Sequence, residues 1–282
     1  MIAFIQEIFS QIQILSVEPS LQDLFSPELL AVCFFAFLAG FIDSIVGGGG
    51  LVQLPALLIC YPNVDPIPIF GTNKFSSISG TSIATYRFSR TVEIPWRIAL
   101  WAAGAAFIFS FLGARSVSYF PKDALRPVIL TLLIAVFIYT AFKKDFGSIH
   151  APELPHNREV PYAIILGVVI GFYDGFFGPG TGSFLIFIFI GIFGFDFLRA
   201  SATAKVVNFS TNLSAVLFFA FTQKIFYHIA IPMGLCNIAG AVLGTKLAVL
   251  KGSGFIRVLF LGVMAAIILK FGFDTLKVMI QI

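Results

Sequence analysis

Seven runs of apolar residues, at 29–46, 98–112, 127–142, 162–177, 215–221 with its approach, 229–249 and 255–269, dominate this chain. A hydrocarbon core of about 30 Å needs about 20 helical residues to cross it, and most of these runs come near that length once their flanks are included. The solvent balance agrees. Of 282 residues, 58% are hydrophobic and 11% charged, whereas a water-soluble domain carries about 25% charged residues. So little charge cannot coat a particle in water, and much of the surface has to face lipid. The sequence predicts an all-α polytopic membrane protein.

The same chain is written twice. Gly40-Phe41-Ile42-Asp43 recurs as Gly171-Phe172-Tyr173-Asp174, so that position 43 answers to position 174. The same shift, without a gap, also pairs Gly47 with Gly178, Gly49 with Gly180, Thr72 with Thr203, Lys74 with Lys205, Gly113 with Gly244 and Arg126 with Arg257. Matched apolar residues would mean little here; matched Asp, Lys and Arg at one shift mean duplication. Each half reads as a first span (29–46 and 160–177), a glycine-rich break, and a short apolar segment (51–60 and 183–195). A helix with a polar face (69–89 and 200–221) and two apolar helices (96–119 and 124–142; 227–250 and 255–273) complete it. The expected organisation is an interfacial amphipathic segment at 1–28, a first membrane repeat at 29–142, an exposed linker at 143–159, a second repeat at 160–273 and a tail at 274–282. In the first segment Ile2, Ile5, Phe9, Ile12 and Leu15 lie near one helical face; a frayed tail is the alternative. No basic n-region or small-residue cleavage site marks a signal peptide there. A re-entrant short segment makes four crossings per half and parallel halves; a crossing one makes five and inverted halves. Lysine and arginine divide too evenly between the two sides to choose.

Three features break the apolar pattern, each of them twice. The first is glycine: Gly47, Gly48, Gly49 and Gly50 in one half, and Gly178, Gly180, Thr181 and Gly182 around Pro179 in the other. Irregular backbone at membrane depth is tolerated only where it is buried in protein or lines a watery cavity. The short helices after the breaks would begin with free N–H groups and a positive dipole end, a ready anion site; close helix packing is the competing reason for glycine. No Gly-Lys-Ser/Thr comes after either break, which sets a nucleotide loop aside. The second feature is an acid before each break, Asp43 and Asp174, each costing about 2.5–3.5 kcal/mol near the bilayer centre unless it has a partner or a purpose. These carboxylates either cap the loop's N–H groups, pair with a lysine, or take up a proton during transport. The third is a polar helix face: Lys74, Ser77 and Thr81 in one half, Lys205, Asn208 and Asn212 in the other, at i, i+3 and i+7. A cation beside hydroxyls and amides suits an oxyanion; a lysine that snorkels to the interface is the bland alternative.

Other residues read as structural. Cys33, Cys60 and Cys236 lie scattered in apolar segments without metal-ligand spacing, and His150, His156 and His228 fall in or beside loops, so neither metal nor cofactor is expected. The basic pI of about 9.0 suits cytoplasmic loops and anionic headgroups better than nucleic acid. Arg115, Lys246, Arg126 and Arg257 are expected interface anchors, and Trp96, Trp101, Tyr119 and Tyr227 an aromatic belt.

Residues 40–50 with Gly71-Thr72-Asn73-Lys74, and 171–183 with Ala204-Lys205-Val206-Val207-Asn208, resemble the TauE/SafE family of sulfite exporters, and within it the YfcA-like branch. The likeness runs from about Leu29 onward. It implies an inner-membrane, multi-pass protein with a duplicated four-span unit, and transport of sulfite, sulfoacetate or related anions. Together with the residues themselves, this gives the expectation of a secondary transporter for a small anion. Alternating access would run around a midplane site made of the glycine breaks and Lys74 and Lys205, with proton coupling through Asp43 or Asp174. An anion channel lined by the same donors and a membrane-embedded enzyme are the rivals. The enzyme is the weaker, because no His, Cys or paired carboxylates converge at one depth.

Overall fold

The computed structural model describes residues 26–120 and 154–251, and every secondary-structure element among them is a helix. In chain order these are α1 (Pro27–Val46), α2 (Gly50–Cys60), α3 (Pro66–Thr91), α4 (Trp96–Ser118), α5 (His156–Phe176), α6 (Thr181–Gly191), α7 (Phe197–Phe221) and α8 (Tyr227–Lys251). Helices α1, α4, α5, α7 and α8 are long and apolar enough to cross a membrane. Helix α3, with 26 residues, has the length but is too polar to face lipid unaided. At 11 residues each, α2 and α6 are about 16 Å long and cannot cross alone. The starts of α2 and α6, of α3 and α7, and of α4 and α8 all keep the shift that pairs position 43 with position 174. The expected final helices of the two halves, most of the 1–28 segment, the linker up to 153 and the tail lie outside the described residues.

Local chemistry sets the boundaries. Ser26 opens α1 by accepting from the Leu29 N–H at 3.2 Å, with Pro27 in the first turn. Asp65 caps α3 through the Ile67 N–H, and Asp196, its counterpart, caps α7 through the N–H groups of Leu198 and Arg199. These caps start both polar helices three residues earlier than apolar patterning suggests. Helix α6 stops at Gly191 rather than continuing to 195, because Gly194 turns the chain with φ +72° ahead of the Asp196 cap. Helix α5 begins at His156, so the last residues of the expected linker are already helical.

Small residues let the helices meet, as they must where lipid offers no hydrophobic drive to association. On α5, Gly167, Gly171 and Gly175 lie against the backbone of Ala102, Ala106 and Ser110 of α4. On α8, Gly240 and Gly244 lie against Phe37 and Phe41 of α1, and Gly40 lies against Asn237. Both seams join a first-half helix to a second-half helix: Gly113 touches the Phe172 backbone, and its counterpart in the repeat, Gly244, touches the Phe41 backbone. Apolar side chains such as Phe34, Ile108, Ile165 and Leu235 point outward, toward lipid. Trp96, Trp101 and Tyr119 are exposed as a belt requires, but Tyr227 turns inward to stack edge-on against Phe75 at 5.7 Å. Arg115 and Lys246 are exposed. The three cysteines are half-buried thiols.

Candidate substrate site at the paired helix breaks

The two glycine breaks also touch each other. Gly47 ends α1 in the left-handed region at φ +79°, and Gly178, its counterpart, sits at +95°; only glycine takes these angles without strain. Gly47 lies so close to the Gly182 backbone that a Cβ on either would overlap the other. The Gly47 carbonyl accepts the Ser183 N–H at 3.0 Å. Ser183 and Ser201 hydroxyls donate to the carbonyls of Val46 and Ile45 at the end of α1, closing acceptors that the break would strand. At the second break the Tyr173 hydroxyl donates to the Pro179 carbonyl and Thr181 to the Gly178 carbonyl, each at 2.6 Å. The N–H groups of Gly48, Gly49, Gly50, Gly180 and Gly182 have no backbone acceptor among the described residues.

Beside the breaks the charges pair, and they pair across the halves. Lys74 of α3 donates to Asp174 of α5 at 2.6 Å, and Lys205 of α7 donates to Asp43 of α1 at 2.8 Å. Of the readings the sequence left open for the two acids, the geometry shows a lysine partner, contributed each time by the other half. The pairs are equivalent by position but not by exposure. Lys74 and Asp174 are 3% and 4% exposed; Lys205 is wholly buried, while Asp43 is 22% exposed. A buried ion pair has lost its hydration and holds together only if both partners stay, so each pair fastens one half to the other. With all four groups ionised, their charges cancel.

A cavity of about 30 Å³ lies between the breaks, room for about two water molecules. From the first half Asp43, Gly47, Gly50, Asn73, Lys74 and Ser77 line it. From the second come Asp174, Gly178, Gly180, Thr181, Gly182, Asn208 and Asn212. Most of the residues singled out in the sequence therefore converge at one point. Gly48, Gly49 and Lys205 do not reach it: Gly49 is backed onto Ala39 and Asp43, and Lys205 holds Asp43 from outside the lining. The carboxamide oxygen of Asn208 is buried without a hydrogen-bond partner, and Ser77 and Asn212 make no side-chain bond among the described residues.

Three polar residues nearby were not assigned to the site from sequence: Asn73, Gln53 and Asn237. Gln53 of α2 donates to the Asn73 carbonyl and side chain and accepts from Asn237 of α8. The sequence did carry a signal. Gln53 is a lone carboxamide inside an apolar segment, and such a group in a membrane interior has to find a partner.

Five helices long and apolar enough to span a membrane, enclosing glycine breaks and buried, cross-paired charges, define a multi-pass membrane protein. It belongs to the TauE/SafE family: residues 32–271 match the family described as Sulfite exporter TauE/SafE. Probable membrane transporter protein ORF9 of a Sinorhizobium species is 37% identical over 246 residues, 86% of this chain and 92% of the relative. Probable membrane transporter protein YfcA of Escherichia coli K12 is 35% identical over 251 residues, 89% of this chain and 92% of the relative. A more distant relative, from Methanocaldococcus jannaschii, is 26% identical over 225 residues, 76% of this chain and 82% of the relative. No solved structure gives a significant match.

Proposed function

We propose that this protein is a secondary transporter of the inner membrane for small sulfur-containing or organic anions such as sulfite or sulfoacetate. It works by alternating access between two homologous halves, each of about four spans with a re-entrant segment after its glycine break. The common shift of the α2 and α6, α3 and α7, and α4 and α8 starts and the cross-paired Lys–Asp couples support the two-half reading. The observation that carries the function is the lining of the central cavity. Lys74, Ser77, Asn208 and Asn212 meet there with the unbonded N–H groups of two helix starts, a set of donors that an oxyanion would satisfy.

The charge balance suggests the coupling. Lys74 already holds the Asp174 carboxylate, so an incoming anion competes with it. A proton on Asp174 removes that competitor and lets the anion take its place with no net charge added to a buried site. Anion and proton then move together. Asp43, tied back by Lys205 and partly exposed, is the equivalent group for the other half. The two breaks touch in a cavity that holds little more than water, which fits a closed state that must open for a larger ion.

The test is the thermal stability of the detergent-purified protein against sulfite, thiosulfate, sulfoacetate, taurine, sulfate and simple carboxylates. A ligand at 100 times its Kd adds about 2.7 kcal/mol to the native state, which a melting curve resolves. A shift with a sulfur anion that disappears in Lys74→Gln supports both ligand class and site. A shift that survives in Lys74→Gln removes that lysine from the site, and no shift with any member of the panel removes the substrate class.

A further inference from the structure

Asn237 of α8, Gln53 of α2, and Asn73 and Ser76 of α3 form a buried polar chain in which hydrogen-bonding rules fix every amide's direction. The Asn73 main-chain carbonyl can only accept. The end of Gln53 that lies 3.2 Å from it is therefore the NH2, and the other end the oxygen. The same NH2 lies 2.9 Å from the Asn73 side chain, so the atom facing it there is the oxygen. The Gln53 oxygen takes its own donors from Asn237 Nδ2 at 2.8 Å and Ser76 Oγ at 3.3 Å, which resists a flip. What remains is the NH2 of Asn73. It is turned away from Gln53, without a protein partner among the described residues, on a side chain that lines the central cavity next to Lys74.

The second half shows that the fold does not require this chain of amides. The shift between the halves takes Gln53 to Phe184, Asn73 to Ala204 and Ser76 to Val207, and in the other direction Asn237 to Ala106. Ala204, Val207 and Ala106 are buried at the corresponding places, so the equivalent seam is packed with apolar side chains. Replacing a buried polar cluster by packed apolar groups is often neutral or stabilising, so holding helices together does not account for keeping it at one of the two equivalent seams.

We propose that Asn73 is a hydrogen-bond donor to the transported oxyanion, and that Gln53, itself held by Asn237 and Ser76, is a positioning residue that keeps the donor end of Asn73 turned toward the site. The assignment rests on the anion reading above and makes the site one-sided. Lys74 and Asn73 present charge and a fixed donor from α3, while the second half offers Asn208 and Asn212 at places where the first has Ser77 and Thr81. Gln53→Glu has nearly the same shape but no N–H for the Asn73 carbonyl, and its carboxylate would draw the Asn73 NH2 toward itself, turning an acceptor oxygen to the cavity.

The experiment measures sulfite flux in proteoliposomes for the wild type, Asn73→Ala, Gln53→Glu, and a variant carrying Gln53→Phe, Asn73→Ala, Ser76→Val and Asn237→Ala to copy the second half. Losing one hydrogen bond to a charged ligand raises KM roughly tenfold, so Asn73→Ala and Gln53→Glu are expected to show that rise with Vmax within about twofold. The copied variant is expected to fold and bind as poorly as Asn73→Ala. Wild-type KM in Asn73→Ala overturns the inference and leaves the anion transporter standing. If sulfite neither moves nor binds, that substrate reading fails, and side-chain amide exchange in 15N-asparagine-labelled protein decides the orientation by itself. Fast exchange at Asn73 beside slow exchange at Asn237 supports it, and an Asn73 amide as protected as Asn237 overturns it.

Discussion

Asp174→Asn separates the two tasks assigned to the Lys74–Asp174 pair, which are holding the halves together and gating the anion. Both side chains are nearly sealed from solvent, at 3% and 4% exposure, so screening by water does little to soften the loss of a partner. Removing one member of such a pair costs about 3–5 kcal/mol, because the remaining charge stays buried. Without ligand, Asp174→Asn should therefore melt well below the wild type, and Lys74→Met combined with Asp174→Asn should recover most of the loss, the signature of a coupled pair. Asparagine also imitates the protonated aspartate, which gives the opposite expectation once an anion is present. Thiosulfate, whose charge is constant between pH 6 and 8, should bind the variant more tightly than it binds the wild type. At 100 times its Kd it should return about 2.7 kcal/mol of stability. Binding to the wild type should strengthen as the pH falls, whereas binding to Asp174→Asn should be level. The assay is a set of melting curves against thiosulfate concentration at the two pH values. A variant that thiosulfate stabilises no more than the wild type, or one that keeps the wild-type pH dependence, refutes the gating role and leaves only a structural pair.

The geometry sets three further outcomes. Gly47→Ala forces a left-handed φ on a side chain and overlaps Gly182, so it should lose at least about 1–2 kcal/mol; Gly48→Ala, whose Cβ would meet only ordinary contacts, should melt near the wild type. Asp43→Cys should react with a water-soluble maleimide faster than Asp174→Cys, in line with the 22% against 4% exposure of the native carboxyl groups; equal rates would remove the asymmetry between the two ion pairs. Gly171→Val pushes α5 off Ala106 of α4 and should cost more than Gly104→Val, where a Cβ meets nothing, measured by melting temperature and yield from the membrane.

Most helices and the glycine turns at Gly47 and Gly178 were legible in the chain because their causes are local. Lipid rewards continuous apolar runs, and clustered glycines free the backbone to turn out of a helix; the Asp65 and Asp196 caps, which start both polar helices earlier than that pattern suggests, came only with the structure. The constant shift between the halves rests on nothing but residue identity, and it located Asp43 with Asp174, Lys74 with Lys205, and Ser77 with Asn208 as matched sets. It could not say which member of one set meets which member of the next. On paper, Asp43 could pair as well with Lys74 of its own half as with Lys205 of the other, and Asp174 faces the same choice. Packing decided, by bringing the breaks of the two halves into contact and joining partners 100 and 162 residues apart. The same packing withdrew Lys205 from the cavity and brought Asn73 into it, because a helix face gives a direction only after its neighbours are set. The single-sided chain from Asn237 through Gln53 to Asn73 was furthest from reach. It departs from the repeat, spans 184 residues between Gln53 and Asn237, and has its donor directions fixed by a main-chain carbonyl that only the folded structure brings near.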